Sequence, residues 1–309
     1  MAIKRLILIL VILLCLPKHS LAQRVRLTLH ILGKSSTFTA EEVTEAIHFL
    51  RRNLGSSTNE TWSFKTIKIL RDSTLLDNIR RVLAVGNKKV LPIHLHLNDE
   101  AQIWPYCTAK KVVISEWGLT QSCRNKEDVK AMLIHETAHF VCPSVGLDYY
   151  PGVRHSLGSL LSPALSLHEG WANYWTALYS KKLQMGRRSA FTSLYKLRSN
   201  GKREKLSGSR LKLRHYLCNS VTVGNLIWDL TCLPNGYKGM EKALKLAWQQ
   251  KAPTAVDLLA EYVYLYPKEQ RTVRELLRNR TRNCGSQEQY DKVLSGTFFL
   301  FGERNKLPR

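Results

Sequence analysis

Val25, Leu27, Leu29 and Ile31 are apolar and the residues between them polar, an alternation that predicts a strand opening the folded part of the chain. Thr39-x-x-Glu42 reads as a capping box before a helix over about 40–53. Apolar runs predict further strands over Trp62 to Leu70 and Val90 to Leu97. Ala101 to Thr108 and Lys111 to Trp117 predict a hairpin turned at Ala109-Lys110. Asn125, with Glu127 and Asp128 just behind it, caps the next helix, where carboxylates suit the positive end of the helix dipole. Ser162-Pro163 pairs an N-cap with a first-turn proline and predicts a helix to about Leu183. Helical periodicity continues over 219–231, 238–250, 254–265 and 270–280. The order β-α-β-β-β-β-α followed by helices predicts an α+β fold, with a mixed sheet in residues 23–143 and a mainly helical part in 144–309.

The first 22 residues follow a different pattern. Lys4 and Arg5 precede an unbroken apolar run from Leu6 to Leu16, and Ser20-Leu21-Ala22 places small residues at −3 and −1 of a cleavage site. Eleven apolar residues are too few to span a bilayer, so the segment is expected to be a secretory signal peptide and the chain to be secreted or extracytoplasmic. No other stretch predicts a transmembrane segment. Removal of Lys4, Arg5 and Lys18 takes three positive charges from the formal +23. Six cysteines remain, and an even count in an exported chain is expected to form disulfides. Cys218 and Cys232 cannot pair if one helix separates them, because 14 residues at 1.5 Å each span about 21 Å. Cys107 and Cys123, flanking a strand, are the expected pair. Asn59 and Asn279 head glycosylation sequons.

The charge implies anionic partners. Lys and Arg number 47 against 24 Asp and Glu, and they crowd segment 181–214. That segment is expected to be a long exposed connection able to attract a polyanion or an anionic surface. Only Phe191, Tyr195 and a few apolar residues interleave with its charges, too few for the stacking platform of a nucleic-acid binder.

The chemistry concentrates in His135-Glu136-Thr137-Ala138-His139. Histidines at i and i+4 share a helix face and can hold one zinc ion, and Glu136 beside them is placed to move the proton of an attacking water. With 10 histidines in the chain, composition alone predicts roughly 0.02 such matches, so the motif is informative. A third ligand is needed. An extended motif with glycine at 142 and histidine at 145 is excluded by Cys142 and Val145. His168 and Glu169 are the next candidates, and adjacent helical residues point about 100° apart, so one of the two faces the ion.

His135-Glu136-x-x-His139 followed by Glu169-Gly170-x-Ala172 resembles the gluzincin branch of the zinc metallopeptidases, including the peptidase-MA-like group. The resemblance covers about 135–173. It implies a zincin-like fold, one zinc held by His135, His139 and Glu169, and Glu136 as general base in the hydrolysis of peptide bonds. It also places a catalytic tyrosine between the two motifs in some members, which makes Tyr150 the first choice for stabilising the oxyanion, with Tyr149 and His155 nearby and His215 second. Gluzincins often carry an aspartate four residues after the ligand glutamate to orient a zinc histidine; Asn173 stands there and supplies no charge. A catalytically inactive zinc-containing module that binds a polyanion or membrane surface is the alternative. His94 and His96 share one face of a strand and are expected on its polar side. Trp171 and Trp175 are expected in the core.

Overall fold

The computed structural model describes residues 25–32, 34–55, 61–97, 102–142, 159–180, 211–249 and 252–300, together with the backbone of 194–197 and 203–206. The expected signal peptide lies outside these residues, as do Tyr149, Tyr150, His155 and Asn59.

The alternating segment forms β1 (Val25–Ile31), with its apolar members buried. β2 (Lys34–Thr39) pairs antiparallel with it, and β3 (Leu91–His96) runs parallel on its other side. The expected hairpin is present but short: β4 (Tyr106–Cys107) pairs antiparallel with β5 (Val112–Ser115), which lies parallel to β3. The sheet order is β2-β1-β3-β5-β4, parallel at its centre and antiparallel at both edges. With the helices below, the chain is an α+β protein.

Helix α1 (Val43–Leu54) begins three residues beyond the expected start, and Glu42 still reaches back to accept from Thr39 N at 2.7 Å. The expected strand over 62–70 is instead helix α2 (Trp62–Ile69). Thr61 accepts from Phe64 N, while the carboxylate of Glu116 accepts from Trp62 N at 2.8 Å, Ser63 N at 2.7 Å and the Ser63 hydroxyl. A carboxylate from elsewhere in the chain thus satisfies the N–H groups that a helix start leaves open. Phe64 and Ile67, three apart, bury one face. Helix α3 (Ser73–Val85), capped by Asp72, was not expected from the sequence.

Glu116 also opens the short helix α4 (Glu116–Ser122). Helix α5 (Lys126–Val141) carries the His-Glu motif and starts with the full capping box of Asn125 and Asp128. Helix α6 (Pro163–Tyr179) ends four residues before the expected Leu183. Every residue from Ala164 to Thr176 is buried, as in a helix enclosed on all sides. Helices α7 (Leu213–Leu217), α8 (Ser220–Thr231), α9 (Gly236–Ala247), α10 (Ala255–Leu265), α11 (Gln270–Arg280) and α12 (Gln287–Leu294) complete the fold. Within the basic segment, the backbone of β6 (Leu194–Leu197) and β7 (Arg203–Leu206) forms an antiparallel pair, so that connection is not without secondary structure.

Helix α5 lies between α3 and α6, and α6 in turn packs along α8. Gly170 makes the second crossing close: a Cβ there would meet Val223 Cγ1 at 2.7 Å and Gly224 N at 3.0 Å. Arg280 on α11 clamps Asp229 on α8 through two bonds of 2.6 and 2.7 Å. Buried apolar side chains form one cluster from Val25 to Leu300, including Trp171 and Trp175, so the sheet and the helices share a core.

The six cysteines of the described residues are all thiols, and the expected Cys107–Cys123 pair is not made. Cys107 on β4 donates to Thr108 O, and Cys123 at the end of α4 lies 3.6 Å from the Ser122 hydroxyl. Cys218 and Cys232 do flank one helix, α8. None of the described helices is long and apolar enough to cross a membrane.

Candidate metal centre

The capping box fixes where α5 begins, and from that start His135 and His139 fall on the side that meets α6. Their Nε2 atoms are 3.0 Å apart. Across the interface, the Glu169 carboxylate lies 3.3 Å from His135 Nε2 and 3.4 Å from His139 Nε2. The three residues present donor atoms that all lie within 4.8 Å of one another. His139 and Glu169 are buried, whereas His135 keeps about a quarter of its side chain exposed and gives the cluster its open side. His168, next to Glu169, takes a different direction. Its ring stacks on that of His139, with centroids 4.4 Å apart and planes 10° apart.

The orientation of His135 has a source that the sequence did not reveal. Thr176 lies two helical turns beyond Glu169 on α6 and donates its hydroxyl to Ala172 O at 2.8 Å. With its proton used there, the hydroxyl can only accept from His135 Nδ1, 3.5 Å away. This favours the tautomer with hydrogen on Nδ1 and leaves the Nε2 lone pair facing His139 and Glu169. The i, i+7 spacing from Glu169 was the available signal. Asn173, the sequence candidate for that duty, is buried on the same helix.

Glu136 is buried and belongs to neither of the two donor groups found among the described residues. The second group is His139, Cys142 and His168, all buried. Burial first, then the nearby Cys107 and Glu169, hold the Cys142 thiol well above its ordinary pKa. Burial, then Glu136, does the same for Cys107. Of these two thiols, Cys142 has its sulfur within 4.8 Å of ring nitrogens of His139 and His168.

His215 does not join it: its Nδ1 accepts from Lys212 N at 3.1 Å and caps α7. His94 and His96 lie half-buried on β3, where the parallel register adds His30 from β1. His30 Nε2 meets His94 Nδ1 at 2.8 Å, and its ring stacks on His96 at 4.4 Å. Burial above all, with Lys111 and the neighbouring rings, lowers all three pKa values, that of His94 to about 4. The three do not form a convergent donor group.

Against known proteins, the chain matches no family model, no curated sequence and no solved structure.

Proposed function

We propose that the chain is an exported, zinc-dependent metallopeptidase with a zincin-like fold. The observation that carries this reading is the meeting of His135, His139 and Glu169 at the α5–α6 interface, with one member left open to solvent. Two imidazole nitrogens and a carboxylate suit zinc, and a catalytic site keeps one position free. The Thr176 hydroxyl supports it further by favouring the ligating tautomer of His135. A zinc ion held there supplies Lewis acidity to the scissile carbonyl. The protein's own work is then proton transfer: Glu136, outside the ligand set, accepts a proton from the attacking water and returns it to the leaving amine. Export rests on the basic, apolar and small-residue order of residues 1–22.

Elemental analysis of the purified chain should find about one zinc per molecule. Glu136→Gln should fold and retain zinc while losing peptide hydrolysis by roughly 10²–10⁴-fold. His139→Ala should lose zinc and hydrolysis together. Unchanged hydrolysis in Glu136→Gln would overturn the mechanism. Wild-type chain that holds zinc but cleaves nothing in a broad peptide library would favour the polyanion-binding module.

A further inference from the structure

The structure assigns a second, deeper metal seat to His139, His168 and Cys142, alternative to the first and suited to a soft divalent ion. This inference rests on the reading of the first seat, with which it shares His139. One donor atom from each of the three residues lies within 4.8 Å of the others, and all three residues are buried. Cys142 follows His139 by three positions and is fully buried where α5 ends, so its sulfur lies on the side of the helix that faces α6. His168 reaches the same place from α6, stacked on His139.

The two seats differ in kind. The outer set has a carboxylate and a partly exposed imidazole; the inner has a thiol, no carboxylate and no exposed member. Thiolate with imidazole favours zinc or cadmium over harder divalent ions, and a closed set of this kind suits holding an ion rather than turnover. Binding converts the Cys142 thiol and a divalent ion into a metal thiolate and one proton, released to solvent. The stacked rings must turn so that their lone pairs converge. An ion in the inner seat takes His139 from the outer one, so the chain holds a single ion and a soft metal diverts it away from the open side. The site described above would then be silenced without losing its metal content.

The metal-free full chain is titrated with cadmium, and the near-ultraviolet absorption of a cadmium–thiolate bond is followed. The wild type should develop that band and saturate at about one equivalent, releasing a proton as it does. Cys142→Ser and His168→Gln should lose the band. Glu169→Gln and Cys107→Ser should keep it. Cadmium NMR of the wild type, which needs no variant, should report one sulfur donor. No thiolate band in the folded wild type, or a band that survives Cys142→Ser, would overturn the inner seat. Peptide hydrolysis is not the readout, and Glu169→Gln disables only the outer set, so failure of the peptidase reading and failure of the inner seat give different results.

Discussion

At the scale of single residues, position on a helix decides role more than residue type does. His168 and Glu169 are neighbours in sequence, yet one stacks on a ring and the other reaches both histidines, because successive residues turn by about 100°. Thr176 reaches His135 from two turns away for the same reason. Loss of its hydroxyl removes the acceptor for Nδ1–H and leaves the ring free to adopt the other tautomer. Thr176→Val, which keeps the shape, should therefore fold normally and bind zinc about 10–100-fold more weakly, as removal of outer hydrogen-bonding partners does at other metal sites. Competition with a chromophoric chelator measures this, and equal affinity in the two proteins would remove Thr176 from the site.

At the scale of elements, the α6–α8 crossing and the α3–α5 contact hold the site helices in register. Gly170 permits the first. An alanine there gains roughly 1 kcal/mol in helix propensity but must displace Val223 and a backbone nitrogen, Gly224 N, that has no rotamer to change. Overpacking of this sort costs about 1–3 kcal/mol, so Gly170→Ala should lower the urea midpoint, and Val223→Ala should restore part of the loss when combined with it. The α3–α5 contact has an electrostatic side. Asp72 caps α3 and lies 2.6 Å from Lys130 Nζ on α5. The Lys130 hydrogen bond, against an opposing effect of burial, holds the Asp72 carboxyl below its ordinary pKa. The pair is therefore complete above about pH 4, where Asp72 of the unfolded chain is also ionised, and its contribution is lost as pH falls through the lower folded value. Asp72→Asn keeps a capping side chain and should cost at most about 1 kcal/mol at neutral pH, since ion pairs that stay partly open to solvent are weak. Its stability should fall less steeply than that of the wild type on acidification, as read from urea midpoints.

For the whole molecule, net charge matters more than any one contact. A formal +23 sets up a field of one sign over the molecule, and attraction of polyanions is the proposal that follows from it. Retention on heparin should fall sharply with added salt, since exposed charges are screened within about 8 Å at physiological ionic strength. Neutralising Lys202, Arg203 and Lys205 together should move elution to lower salt. Retention that ignores salt would discard the electrostatic account.

What the sequence determined by itself was whatever local chemistry controls. The start of α5 and the spacing of His135 and His139 follow from residues within a turn or two of each other, as do the Ser162-Pro163 start of α6 and the series α8 to α11. Apolar alternation likewise marked β1. Tertiary structure decided the rest. The first N–H groups of helix 62–69 are met by the local cap Thr61 and by Glu116, a partner more than fifty residues away that no local pattern reveals. His30 joined His94 and His96 only through strand register, and Cys107 is a thiol on β4, which packs on α5, rather than bonded to Cys123. Caps and periodicity act over a few residues, whereas these outcomes depend on which surfaces are buried together, and that is settled only when the sheet and helices close on one core.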